Sequence, residues 1–348
     1  MIKISLGLCV KQTPAEIVVA GKLADARGFD TLWLSDSDLP SSEIHTLLGA
    51  LAASTERIQL GAAMTYPLTG HPVVAISVLA AISALSGSRA ALGIRIGDTI
   101  SRAMNDGLAK TMALEEAVAR CRALLTGERA VCGANCTAEP AAPELPIYIA
   151  ASGPKMLHLA GRIADGVILM NGVTPEIIGA AIILLRRGEA EQGREPGSTK
   201  VAVWAACHTN YQAVKRSIAR TLLRDIPGPV DELTRVVADD VRGAYKSEQD
   251  QHADAELSRL IPDELVPRFA FSGSPKAIKE QIDALRGLGV DEVILAIPPE
   301  DQFASREDVI RDLMPLLTTS PHRRGYPDLR IVQRQAPGWR SNYPDGFC

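Results

Sequence analysis

Short apolar runs alternate along this chain with longer segments whose apolar residues recur at helical spacing. The runs at 2–8, 31–35, 58–63, 90–96, 147–150, 166–170, 201–207 and 292–297 read as strands. The stretches 13–27, 44–54, 73–85, 113–125, 155–163, 176–192, 213–223 and 306–317 read as the helices that follow them. Runs rich in Val, Ile and Leu, each followed by a helix, fit a parallel sheet covered on both faces. Eight such pairs predict an α/β chain closed into a (β/α)8 or TIM barrel rather than an open doubly wound sheet. Helix starts agree, because Thr13-Pro14, Gly153-Pro154 and Thr174-Pro175 each put proline in a first turn, and Gly28 closes the first helix.

The spacing breaks once. Between the seventh and eighth runs, from His208 to Asp291, lie further helical patterns at 213–223, 230–245, 253–265 and 277–288. This predicts a helical insertion at about 224–272, with Pro275-Lys276-Ala277 opening the helix that leads into the last strand. The barrel is then expected to span 1–317 as one domain. A polar, Pro/Gly-rich extension follows at 318–348; Trp339 and Tyr343 suit docking on a neighbouring surface better than a free tail.

Composition narrows the partners. The 348 residues carry 37 basic and 41 acidic side chains, a net charge of −4, and only 4% aromatics. A nucleic-acid binder needs a basic face or stacking platforms, and neither is supported. The longest apolar run, 177–185, is far short of the roughly 18–20 residues of a membrane span. The first residues read as a strand rather than a leader, so a soluble cytoplasmic protein is expected. Six cysteines (Cys9, Cys121, Cys132, Cys136, Cys207, Cys348) then read as reduced thiols, with Cys9 and Cys207 inside apolar runs. No metal is expected. Cys132 and Cys136 have no second close Cys/His pair, and the six histidines show no i, i+4 pair.

In a barrel the chemistry lies in the loops at the carboxyl ends of the strands. Those loops hold Ser35-Asp36-Ser37-Asp38, then Ala62-Ala63-Met64-Thr65, then Gly97-Asp98. The next three are Ala151-Ser152-Gly153-Pro154-Lys155, Asn171-Gly172 and His208-Thr209-Asn210. The block at 151–155 carries the most chemical information. Small residues admit close backbone approach, a helix N-terminus favours an anion, and Lys155 adds charge, so it reads as a phosphate cradle. It also has an ordinary reading as a strand-to-helix turn. His45 and His208 stand near strand ends and are the histidine candidates for proton transfer. Nothing resembles a Gly-x-Ser-x-Gly nucleophile elbow.

Several blocks together resemble a known family. They are Gly28-Phe29-Asp30-Thr31-Leu32-Trp33-Leu34-Ser35-Asp36, Thr55-Glu56-Arg57-Ile58-Gln59-Leu60-Gly61, Leu85-Ser86-Gly87-Ser88-Arg89-Ala90 and Leu92-Gly93-Ile94 with Gly97-Asp98. Pro146-Ile147-Tyr148-Ile149-Ala150-Ala151-Ser152-Gly153-Pro154-Lys155-Met156-Leu157 and Ala160-Gly161-Arg162-Ile163-Ala164-Asp165-Gly166-Val167 complete the set. The chain thereby resembles the luciferase-like superfamily of flavin- and deazaflavin-dependent oxidoreductases, and within it the methylenetetrahydromethanopterin reductase group. The likeness covers about residues 1–210 and, more loosely, 270–317.

The resemblance implies a barrel whose mouth holds a tricyclic ring over a bulge after the third strand, with a cis peptide at Ala63–Met64. It implies cofactor contacts from Ala62, Ala63, Met64, Thr65, Gly97, Asp98, Ala151, Ser152, Gly153, Pro154 and Lys155. It also implies a homodimer and hydride transfer between the deazaflavin F420 and a small organic substrate. The alternative is an FMN monooxygenase, in which a separate reductase supplies reduced flavin. Relatives carry histidine at the position of Ser37 and often arginine at that of Gly70. Proton transfer here therefore falls to Asp36, Asp38, His45 or His208, or needs no side chain; Ser37 at the departing position, and Asp98, where some relatives hold an acidic residue near the substrate, complete the candidate catalytic set. A barrel kept only as a binding scaffold is a further reading, opposed by the intact phosphate turn.

Overall fold

The structure, a computed structural model, describes residues 1–10, 13–35, 43–65, 72–95, 107–127, 144–245 and 256–298, with the backbone alone at 64–65, 72–75 and 107–110. Its strands are β1 (Lys3–Cys9), β2 (Thr31–Ser35), β3 (Gln59–Thr65), β4 (Ala90–Ile94), β5 (Ile147–Ala151), β6 (Gly166–Leu169), β7 (Lys200–His208), β8 (Phe271–Ser272) and β9 (Glu292–Ile297). All pairings are parallel. They run β1 to β7 in chain order, and β9 closes the ring between β7 and β1. This is the eight-stranded barrel that the alternation predicts. β8 is an addition the sequence pattern did not show, two residues pairing with Cys207 and His208 of β7.

The helices are α1 (Pro14–Arg27), α2 (Ile44–Ser54), α3 (Pro72–Ser86), α4 (Gly107–Thr126), α5 (Pro154–Ile163), α6 (Pro175–Glu191), α7 (Tyr211–Leu222), α8 (Glu232–Ala244), α9 (Val266–Phe269) and α10 (Pro275–Asp283). The start signals act as expected. Thr13 caps α1 in a reciprocal pair with Glu16, and Gly28 ends it at φ 82°. α10 stops five residues before the expected 288, because the chain turns through Gly287 and Gly289 at φ 80° and 94°. Of the helix expected at 253–265, residues 256–259 and a 3-10 turn at Asp263–Leu265 are described. The helix expected at 306–317 and the extension at 318–348 lie outside the described residues.

Residues alternate between two apolar layers. Leu6, Leu8, Leu32, Leu34, Leu60, Ile147, Ile149, Val167 and Leu169 point outward into the helices and form the main core. Trp33, Ala63, Ala91, Ile168, Ala202, Trp204 and Ile294 fill the barrel itself. A separate apolar cluster joins α7, α8 and α9 through Val214, Ile218, Leu222, Val237, Val241, Leu265 and Phe269.

The amino end of the barrel is fastened by one device used three times. Asp30, Asp165 and Asp291 each precede a strand, and each carboxylate accepts a backbone N–H from the neighbouring strand: Ile4 at 2.8 Å, Ile147 at 2.8 Å and Val201 at 2.9 Å. Charge-assisted bonds to strand N–H groups pin the register at the end opposite the active rim.

Candidate active site

Three aromatic rings, Trp33, Tyr148 and Trp204, pack together in the barrel interior. Trp33 of β2 is 1% exposed, and its indole N–H donates to Oε1 of buried Glu292 on β9 at 2.8 Å. The Tyr148 ring meets Trp33 edge-on, with centroids 5.2 Å apart at 72°. Glycines on the facing strands make room. A Cβ on Gly61 would stand 2.0 Å from Trp33, one on Gly166 2.2 Å from Tyr148, and one on Gly7 2.8 Å from Trp204. Burial, then the charges of Glu292, Asp291 and Asp165, push the Tyr148 hydroxyl far above its usual range, so it stays protonated. The plug leaves the carboxyl rim as the place for a ligand.

On that rim β3 is irregular. Ala62 pairs with Leu92 and Thr65 with Ile94, so three steps along β3 match two along β4. This is a bulge, and Gly93 faces it: a Cβ there would meet the Ala62 carbonyl at 2.9 Å and the Ala63 Cα at 3.4 Å. Ala62 and Ala63 are fully buried, backbone included. No cis peptide bond is found among the described residues, and the expected cis bond at Ala63–Met64 gives way to this register shift. Of Met64 and Thr65 the backbone alone is described. Asp36, Ser37, Gly97 and Asp98 lie outside the described residues.

The block at 151–155 forms the end of β5 and the first turn of α5, as the sequence indicates. Ala151 is buried, Ser152 and Gly153 are half-buried, and Pro154 and Lys155 are exposed. Gly153 caps α5 without a side-chain hydrogen bond. Asn171, just after β6, is 1% exposed, and its Nδ2 donates to the Ser152 carbonyl at 2.8 Å and the Asp225 carbonyl at 3.1 Å. The sequence pattern places Asn171 at a strand end but gives no sign of this clamp, which ties together segments far apart in the chain.

The two candidate histidines stand on other parts of the rim and present opposite ring nitrogens. At the start of α2, His45 Nδ1 lies 2.5 Å from Oε1 of Glu43. The same carboxylate accepts the N–H groups of His45 and Thr46 and the Thr46 hydroxyl. Burial alone would push the Glu43 carboxyl up. The backbone N–H bonds and the His45 ring outweigh it and hold the carboxyl down at about 2. The ionised carboxylate fixes the proton on Nδ1 and leaves Nε2, buried and without a hydrogen-bond partner, as the acceptor. At the end of β7 the arrangement is reversed. His208 Nδ1 accepts the Asn210 N–H at 2.9 Å, which puts the proton on Nε2.

A family model described as luciferase-like monooxygenase matches residues 2–292. The chain belongs to this family. As a luciferase-like protein it is 29% identical over 298 residues to 5,10-methylenetetrahydromethanopterin reductase of Methanolobus tindarius, covering 80% of this chain and 88% of that one. It is 28% identical to F420-dependent glucose-6-phosphate dehydrogenase of Beutenbergia cavernae, covering 87% and 94%. Among solved structures, the F420-dependent tetrahydromethanopterin reductase of Methanopyrus kandleri superposes with a TM-score of 0.74 at 22% identity, over 91% of this chain and 99% of that one. That likeness speaks to the luciferase-like fold.

Among the described residues no group of three or more His, Cys, Asp or Glu could hold a metal ion. No described helix is long and apolar enough to cross a membrane.

Proposed function

We propose that this luciferase-like chain is an oxidoreductase that binds the deazaflavin F420 and moves a hydride between it and a small organic substrate. The supporting observation is the β5–α5 cradle. An open helix N-terminus is capped by a residue without Cβ, with Lys155 in its first turn. This suits a phosphate-bearing cofactor, and F420-dependent relatives match across most of their length. When bound, F420 supplies the two-electron hydride carrier.

The chain's own residues do the rest. The bulged backbone at Met64–Thr65 supports a flat ring at the mouth. The Trp33–Tyr148–Trp204 plug forms the floor. His45 Nε2 takes up a proton while Glu43 stabilises the charged ring, and His208 Nε2–H donates a hydrogen bond.

Side-by-side titration of the purified protein with F420 and FMN tests this reading. Tight binding of F420 alone supports it. Preference for FMN replaces it with an FMN-dependent monooxygenase, and binding of neither replaces it with a non-catalytic barrel.

A further inference from the structure

The cradle has a carboxylate beside it. Gly153 adopts an extended conformation open to any residue, with φ −76° and ψ 155°, so the backbone does not require glycine there. The space does. A Cβ at Gly153 would stand 3.3 Å from Oδ2 of Asp225 and 3.8 Å from its Cβ.

Asp225 lies in the turn after α7, and that turn is held in two places. Asn171 Nδ2 bonds its carbonyl together with that of Ser152. Gly228 sits against α6, where a Cβ would come 2.6 Å from the Ala180 Cβ. The Asp225 charge is thus fixed through its backbone near the N-terminus of α5.

A second observation points to a ligand at the same place. Both Asn171 amide hydrogens are committed to the two loop carbonyls, which turns Oδ1 the other way, buried and without a hydrogen-bond partner. A buried acceptor in that state is completed by a ligand O–H or N–H, which a hydroxyl of the cofactor's side chain beside the phosphate supplies and the ionised phosphate itself does not.

We infer that Asp225 sets the charge accepted by this subsite, admitting a singly charged phosphodiester and discriminating against a nearly doubly charged phosphomonoester. The inference rests on the proposed deazaflavin reading, since F420 carries its side chain through a phosphodiester whereas FMN ends in a monoester. The helix N-terminus and Lys155 attract either anion. Asp225 repels the monoester about twice as strongly, because the repulsion scales with ligand charge. At a separation of several ångströms near the surface, the repulsion corresponds to about tenfold in affinity for the monoester and about threefold for the diester.

The test compares dissociation constants of F420, FMN and riboflavin for wild type, Asp225→Asn and Asp225→Glu, read by ligand fluorescence. Riboflavin lacks the phosphate, so the FMN-to-riboflavin ratio isolates the phosphate contribution. Asp225→Asn is expected to raise FMN affinity about tenfold relative to riboflavin, with F420 changing about threefold or less, and Asp225→Glu to stay near wild type. An unchanged FMN-to-riboflavin ratio in Asp225→Asn overturns the inference, as does an equal gain for F420 and FMN. Wild type preferring FMN to F420 overturns the deazaflavin reading while the ratio in Asp225→Asn still decides the role of Asp225. Binding of none of the three overturns both.

Discussion

Gly161 of α5 and Gly188 of α6 meet at one helix crossing from opposite sides. A Cβ on Gly161 would stand 2.0 Å from the Leu185 carbonyl oxygen, and one on Gly188 2.0 Å from that of His158. Two backbones in such contact leave no room for a methyl group. The crossing also fixes α5, whose first turn is the proposed phosphate cradle.

Gly161→Ala is therefore expected to destabilise the protein by about 3 kcal/mol through overpacking. It should weaken cofactor binding as α5 shifts. Gly179, in the helix that packs on α5, has nothing within 4 Å of its Cβ position. Gly179→Ala should add about 0.5–1 kcal/mol, because the helix loses a flexible residue at no steric cost. Urea unfolding of the two variants decides this, and equal effects would refute the assignment.

The Trp33–Glu292 bond carries a second prediction. Trp33→Phe keeps most of the ring but leaves a buried carboxylate short of a donor, at a cost of about 2–3 kcal/mol. Glu292→Gln keeps an acceptor for the indole N–H and should cost less. Indole fluorescence during unfolding reports on the remaining Trp204 and Trp339 in the first variant, and chemical denaturation gives the free energies.

His45→Gln should lower kcat by about a hundredfold, the usual scale for loss of a proton-transfer group, with F420 affinity changed about twofold or less. Glu43→Gln acts through His45, so its signature is a shifted pH profile of kcat rather than a loss of binding. A matching stability effect has a defined sign. The Glu43 carboxyl sits at about 2 in the folded chain against an ordinary 4.5. Its contribution is complete above about pH 4.5 and fades as pH falls toward 2. The side chain is 58% exposed, so solvent screening makes that contribution small. The Tm difference between wild type and Glu43→Gln should shrink as pH falls from about 4.5 toward 2. A difference that grows over that interval contradicts the arrangement.

Burial holds the thiols of Cys121 and Cys207 at about 11 and 12, respectively. Neither forms a thiolate at neutral pH, so alkylation of the native protein should spare both and label them only after unfolding. Peptide mapping by mass spectrometry reads this directly, and rapid native labelling of Cys207 would contradict its burial in β7.

The blocks that carry the family resemblance divide by position in the barrel, which the sequence could not show. Arg89 donates to the carbonyls of Ala52, Thr55, Ile58 and Ser86 and to the Thr55 hydroxyl. Asp25 accepts from the N–H groups of Glu56, Arg57 and Ile58. These motifs fasten the amino end of the barrel, away from the carboxyl rim. The block at 151–155 does lie on the rim, where its small residues and prolyl helix start make it legible.

Local chemistry determined the strand–helix alternation, the prolyl starts of α1, α5 and α6, and the small-residue turn that opens α5, because each depends on residues within a few positions of one another. β8 escaped notice because two residues are too few to set a period. Three further features were decided by the tertiary structure: the plug of Trp33, Tyr148 and Trp204 against Gly61, Gly166 and Gly7, the clamp of Asn171 on Ser152 and Asp225, and the Asp225 carboxylate beside Gly153. Each joins residues on different strands or loops whose separation is fixed only when the sheet closes on itself, so no local pattern could encode it.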